Sequence, residues 1–413
     1  VAESTTGPAV DIQFPPGFDP ADQAFRRDPY PVYERLREAG PTHVLEAGKV
    51  LFTGYAEVMQ VLREAQLEGD LRRWPYPWMS ARSDSRMVDL IMHMLFARSD
   101  AYHHRLRRLL MAAFTPRAVE QTQPTIERVV ARLLDEVAEL DEFDLVSQVA
   151  QRIPSEVMCE MLAFPLERRE WAAERVLGMS RTLDPDITPA EVDALAVGLA
   201  EVEEYMLPVV RERRANPGDD LMSGLTQAMV DGELLSDTEI IANIILLFLA
   251  GQSTTRSLIS NAVVELFRHP DQLALLRADP SLDRPASEEF LRFVGTIQMI
   301  TKRALGPVTI DGVEFQEGDQ AMIVLASANR DPEAYAEPER MDITRFAKGS
   351  QPPIASFGFG LHYCLGANLA RMEVTAIVPP LVRRFPDLQM PDQELTYPGY
   401  SNRGSNYVRL LTH

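Results

Sequence analysis

Up to about residue 300, apolar residues recur at intervals of three and four, which predicts helix after helix. Arg105 to Phe114, Ile126 to Leu140 and Val192 to Arg214 are examples. Asp28-Pro29-Tyr30-Pro31 opens a helix over Val32 to Glu38, with proline in its first turn. Residues 1–27 before it read as an irregular lead-in. Ser236-Asp237-Thr238-Glu239 is a capping box, and no proline follows before Arg268. That helix spans roughly 48 Å at about 1.5 Å per residue. Ile240 to Ala250 is apolar on every side, and such a stretch must lie inside a protein. Other helices therefore pack round it, and one domain over residues 1–413 is expected.

After residue 305 the period changes. Val308 to Phe315 alternates about Asp311-Gly312, a hairpin signal. Ala321 to Ala326 reads as a buried strand. The helical period returns after Cys364 and should bend or end at Pro379-Pro380. The chain is expected to be mainly α with a small β portion.

Composition adds exclusions. A net charge of −20, with 46% hydrophobic residues, fits a globular protein and not a nucleic-acid binder. Cys159 and Cys364, the two cysteines, cannot build a disulfide framework, so a reducing cytoplasm is expected. Val1 to Gln13 is polar and lacks a signal pattern, and the non-Met first residue suggests a processed or trimmed chain. The run Ile240 to Ala250 is too short to span a bilayer.

The chemistry concentrates in Phe357-Gly358-Phe359-Gly360-Leu361-His362-Tyr363-Cys364-Leu365-Gly366-Ala367. A cysteine just before a helix meets unpaired N–H groups and a positive dipole end, which should lower its pKa. The glycines let backbone approach something flat and bulky. Most free cysteines are inert core, and Cys159 in Val157 to Leu162 is read that way.

The loop matches F-x-x-G-x-H-x-C-x-G and so resembles the haem-binding signature of the cytochrome P-450 family. The resemblance implies the single-domain fold of that family, with haem b (iron protoporphyrin IX) between the long central helix and the cysteine-loop helix. Cys364 would be the metal ligand, with Phe357, Gly358 and Gly366 shaping the cradle. Glu289-Phe290-Leu291-Arg292 resembles the family's E-x-x-R helix, although Glu288 also reaches Arg292 by spacing. Asp342 to Arg345 resembles F-D-x-x-R, so Arg345 would complete a structural Glu–Arg–Arg network, with Arg340 as runner-up. His103, Arg107, Arg303 and His362 would face the haem propionates, because guanidinium forks suit carboxylates.

Ala250-Gly251-Gln252-Ser253-Thr254-Thr255 resembles the family's oxygen-activating A-G-x-[D/E]-T-[T/S]. Gly251 would leave room over the porphyrin. The Thr254 hydroxyl would bond the Ala250 carbonyl or a water and relay protons to O2. Ser253 departs from the pattern, since an acid is usual there. Water through Ser253 or Gln252, a polar substrate group, or peroxide use would each answer it, and the first is favoured because Thr254 is retained.

By resemblance, the segment before His103 covers the substrate pocket, with Trp78 and Met92 as candidate walls. Asn243, Leu247, Ile297 and Met299, and the turn Tyr400-Ser401-Asn402, complete it. The implied reaction is hydroxylation, epoxidation or oxidative dealkylation of a small to mid-sized, mostly apolar substrate. Oxidative cyclisation or coupling, peroxide-driven chemistry and a gas-binding haem protein are the alternatives. No flavin, nicotinamide or iron–sulfur fingerprint is present, so a separate ferredoxin- or flavodoxin-type donor is implied. Residues 98 to 117 hold five arginines against one acid, Asp100. A basic face around Arg105, Arg108 and Arg117 would receive an acidic donor.

Overall fold

Ser236 and Glu239 cap the central helix reciprocally: the Ser236 hydroxyl accepts from the Glu239 N–H at 3.1 Å, and the Glu239 carboxylate accepts from the Ser236 N–H at 2.8 Å. The helix then runs Asp237–Arg268. The structure is a computed structural model that describes residues 14–46, 48–113, 119–162, 164–177, 179 and 187–413. Ile240, Ile241, Ala242 and Ile245 are buried, as an all-round apolar run requires. The helices Arg152–Met161, Pro189–Ala215 and Ala367–Arg384 pack against it. By length and composition this helix could also cross a membrane, but here it is the core of a helical layer.

The β portion is a five-stranded sheet in the order Thr42–Leu45, Lys49–Phe52, Gln320–Ile323, Ile300–Ala304, Leu67–Glu68. Only Gln320–Ile323 against Lys49–Phe52 is parallel. The predicted hairpin forms, Val308–Ile310 against Val313–Phe315. Asp311 and Gly312 take φ of 49° and 72°, as a tight two-residue turn demands.

Three expectations need correction. The lead-in is not wholly irregular: Gln23–Arg27 is helical, and Phe25 packs with Phe18, Tyr33 and Tyr400 in an aromatic cluster. The strand expected over Ala321 to Ala326 stops at Ile323, because its partner ends at Phe52. The Val324 N–H bonds the Phe52 carbonyl at 2.9 Å, and Leu325–Ala328 turns helical. Ala367–Arg384 runs straight through Pro379 and Pro380. Ile377, Val378, Leu381 and Val382 are all buried, so extending the helix gains apolar burial on both sides of the prolines. Thr375 and Ala376, whose carbonyls lose their donors, line an open groove together with Pro380.

A buried ion cluster ties the helical and β parts together. Glu289 and Arg292, both on Asp283–Phe293, form a two-pronged pair at 2.7 and 2.8 Å. Arg345 Nε reaches the same carboxylate at 3.2 Å. The surplus positive charge is spread over carbonyls: Asn329 and Pro338 accept from Arg292, and Glu337 and Arg340 accept from Arg345. Arg345, not Arg340, is thus the third member. Glu288 pairs instead with Arg371 at 2.6 Å, which settles the choice that spacing left open. Asn329 carries the cluster's order to the cysteine loop: its side chain accepts from the Ala355 N–H at 2.7 Å and donates to Ser356 Oγ at 2.7 Å.

Glu289→Gln strands two buried guanidiniums and should cost about 3–5 kcal/mol. Urea unfolding of the purified protein measures this; a loss under about 1 kcal/mol would contradict a coupled cluster.

Candidate haem-binding site

The cysteine loop is made by two left-handed glycines. Gly358 (φ 65°) and Gly360 (φ 71°) reverse the chain on either side of Phe359. A Cβ on Gly360 would come within 3.2 Å of the Leu62 carbonyl, so this position needs glycine on two counts. The Cys364 N–H then bonds the Phe357 carbonyl at 3.0 Å, and the helix begins at Ala367. Arg371 lies 4.5 Å over the Phe357 ring. A Cβ on Gly366 would meet nothing within 4 Å, and one on Gly358 would only graze the His362 carbonyl, so the loop surface is open at both.

Cys364 is hemmed in by protein yet remains exposed on one side, whereas Cys159 is fully buried. Burial pushes the Cys159 thiol up to about 12, as an inert core thiol should be. The expectation that the helix start lowers the Cys364 pKa is not met. Burial raises it, and the Gly366 N–H, Arg107 and Arg371 pull the other way without prevailing. Low dielectric disfavours a thiolate more than one N–H and two partly screened cations favour it. A coordinating metal ion removes that difficulty, because it deprotonates a thiol outright.

Two guanidiniums stand out. Arg107 donates to the Tyr363 carbonyl at 2.7 Å, and Arg303 to the Gly318 carbonyl at 3.1 Å. Neither has a carboxylate partner among the described residues, although acids outnumber bases by twenty in the chain. Both are half-buried, and burial lowers both pKa values. His103 and His362 meet edge to face with ring centroids 4.5 Å apart. His103 Nδ1 donates to the Leu95 carbonyl at 2.8 Å, and His362 Nε2 lies 3.2 Å from Ser99 Oγ. Burial lowers both imidazoles, His362 to about 3, with His103, Lys302, Arg107 and His104 adding repulsion. Ser99 was not foreseeable: its position carries no motif, and only the fold brings it to His362.

On the central helix, Ala250 is exposed although the helix is a core element, and Leu247 and Thr254 are partly so. At 100° per residue these three share one stripe. The Thr254 hydroxyl donates to the Ala250 carbonyl at 2.7 Å, as expected. Ser253 turns onto its own helix, 3.4 Å from the Leu249 carbonyl. Gly251, four residues on from Leu247, lies on the same side and is also partly exposed; a Cβ there would be in ordinary contact with Met158 at 3.8 Å. Gln252 is buried with both amide atoms unpartnered. Glu373 is also buried, beside Thr255, with Oε1 unpartnered. Burial pushes its carboxyl up to about 8 against the pull of the Thr255 hydroxyl.

The pocket candidates divide. Trp78 stacks with Tyr76, and Met92 is partly exposed at the edge of the main core. Ile297 is bridged to Asn402. Asn243 is no wall: its side chain accepts from the Leu95 N–H at 2.9 Å and donates to the His93 and Glu239 carbonyls, so it clamps the central helix to the preceding segment. Met299 packs into the N-terminal aromatic cluster instead.

The basic face is also redrawn. Arg105 bonds Glu233, Glu239 and the Leu234 carbonyl, and Arg108 pairs with Asp231 at 2.9 Å. Arg98 pairs with Asp100. The local excess of arginine in the sequence is largely cancelled by acids from distant positions. Arg117 lies outside the described residues.

The site thus combines a thiol exposed on a glycine loop, two guanidiniums without carboxylate partners among the described residues, and a partly exposed threonine stripe on a core helix. The family model for Cytochrome P450 matches residues 177–279 and 286–398. Cytochrome P450 107B1 of Saccharopolyspora erythraea is 36% identical over 382 residues, 89% of this chain and 90% of its own length. Vitamin D(3) 25-hydroxylase of Pseudonocardia autotrophica is 36% identical over 399 residues, 94% of this chain and 93% of its own. The crystal structure of CalO2 superposes with a TM-score of 0.89 at 29% identity, covering 95% of this chain and 98% of that one. The chain belongs to the cytochrome P450 family, and it is a haem-binding oxidoreductase of the monooxygenase type.

In the haem-free polypeptide, His362 stays neutral while the unfolded chain takes up a proton below about pH 6.5. The unfolded state then binds more protons, so stability falls as pH drops from about 6.5 towards about 3. His362→Asn should flatten the slope of urea-unfolding free energy against pH in that window; an unchanged slope would show that other groups set it.

Proposed function

We propose that the Cys364 thiolate would hold the iron of a bound haem and that Thr254 would serve proton delivery in a monooxygenase. The substrate is a small to mid-sized, mostly apolar molecule, which the enzyme hydroxylates, epoxidises or oxidatively dealkylates. The observation that carries this reading is the exposed Cys364 thiol together with Arg107 and Arg303, two half-buried cations without carboxylates. That donor set fits an iron porphyrin with two propionates. Bound haem supplies the electron-transfer and oxygen-activating chemistry.

The chain's own residues do the rest. Arg107 and Arg303 bind the propionates as fixed charges. His103 and His362 join them as polar neighbours; with Nδ1 committed to Leu95, His103 can donate from Nε2 only after gaining a proton. Thr254, tied to the Ala250 carbonyl, holds its hydroxyl on the accessible stripe and can pass a proton there. Ser253 cannot store one. Glu373, protonated near neutrality and set beside Thr255, is the reserve, with Gln252 offering two unpaired amide atoms to bridging water. Trp78, Met92, Leu247 and Ile297 exclude water from the substrate side.

A relative named for vitamin D(3) hydroxylation supports an apolar substrate with few polar groups. Electrons come from a separate acidic ferredoxin- or flavodoxin-type donor that docks at Arg108, and the enzyme works in the cytoplasm. Oxidative cyclisation remains the second reading, favoured by the missing acid at Ser253.

The decisive experiment is a spectral titration of ferric protein with steroids, terpenoids, macrolides and simple aromatics. A low-to-high-spin Soret shift is expected with at least one class. Cys364→Ala should abolish the thiolate spectrum; its retention would remove the basis of this reading. Ser253→Asp should leave turnover intact or improve it. Glu373→Gln should raise the share of electrons lost to peroxide severalfold at unchanged haem content; unchanged coupling would exclude Glu373 as the proton reserve.

A further inference from the structure

The basic helix Ala101–Ala113 carries an acidic cover of its own. Met229–Val230 and Glu233–Leu234 pair as a hairpin, and Asp231 (φ 54°) and Gly232 (φ 81°) form its tip. The hairpin lies against the basic helix, Asp231 on Arg108 and Glu233 on Arg105. Its strands are only two residues long. A hairpin so short has almost no stability of its own, so attachments to the body hold it in place.

Those attachments differ in strength. At the root, Arg105 is 23% exposed and also bonds the nearly buried Glu239 and the Leu234 carbonyl. At the tip, Arg108 and Asp231 are 57% and 72% exposed. A pair in such full contact with water is worth about 0–1 kcal/mol and is readily exchanged. The root is therefore fixed and the tip is free to let go. Met111, three residues on from Arg108 on the same helical face, is 50% exposed, and Met229, paired with Leu234 at the base of the hairpin, is 61% exposed. Apolar surface next to an exchangeable cation is what a transient protein partner can bury.

We propose that this hairpin masks the electron-donor surface: in the free enzyme Asp231 occupies Arg108, and an acidic [2Fe–2S] ferredoxin docks by taking Arg108 from Asp231 and covering Met111 and Met229. Release of Asp231 leaves Arg108 without its one carboxylate partner among the described residues. A chain of net charge −20 repels an acidic protein at long range, so affinity rests on the few cations set free at the contact. The mask keeps those cations from unselective anions until a partner offers a better-placed carboxylate and apolar contact together. The inference rests on the reading above that the donor docks at Arg108.

The test measures binding of a plant-type [2Fe–2S] ferredoxin to the ferric holoenzyme by calorimetry, at low and at physiological salt. Asp231→Asn keeps a residue that tolerates positive φ and removes only the charge. It should tighten binding about three- to tenfold at low salt, and the gain should shrink as salt rises. Asp141→Asn makes the same change in net charge at a site 95% exposed elsewhere; it should leave affinity unchanged. Arg108→Glu should weaken binding about tenfold. If Arg108→Glu weakens binding but Asp231→Asn does no more than Asp141→Asn, the hairpin is no mask and the docking reading stands. If Arg108→Glu has no effect, the docking reading itself fails and the mask with it.

Discussion

One carboxylate cut off from water organises this protein. Glu289 holds Arg292 and Arg345, and the surplus charge of the two guanidiniums is met by carbonyls of the segment between Asn329 and Arg340. Buried charges are tolerated only when every donor finds an acceptor, so this cluster accepts one arrangement of that irregular segment. Asn329 is part of the arrangement, and its amide fixes Ala355 and Ser356 at the base of the cysteine loop. The position of Cys364 is thus set from a cluster that takes no part in chemistry.

The central helix works as two surfaces. One is apolar core, held at its N-terminal end by Asn243 and by the Arg105–Glu239 pair. The other is the stripe of Leu247, Ala250 and Thr254, where small residues leave space. Gln252 on this helix and Glu373 on the neighbouring one each bury polar atoms without a partner, which is uncommon in a protein core. Where the central helix has Ser253 in place of the usual acid, the neighbouring helix carries Glu373, whose carboxyl burial pushes up to about 8.

Much of this was legible in the residues. The capping box, the all-round apolar run, the Asp311-Gly312 turn and the cysteine loop are local patterns, and each acts within a few residues. The motif even separated Glu289 from Glu288, which spacing could not. What misled was context. Pro379-Pro380 signals a break, yet burial on both sides carries the helix through. A cysteine before a helix signals a lowered pKa, yet desolvation raises it. Asn243 and Met299 occupy positions that resemble pocket walls, and packing turns both to structural use.

The sequence by itself determined the family and the shape of the loop, because a glycine-rich segment ending in cysteine encodes its own backbone path and presents its own thiol. It also determined the helical architecture, since periodicity acts within each segment. Only the tertiary structure decided the electrostatics. Arginines that cluster along residues 98 to 108 meet acids from residues 231, 233 and 239. Charge acts through space and not along the chain, so which cations stay free is a property of the fold.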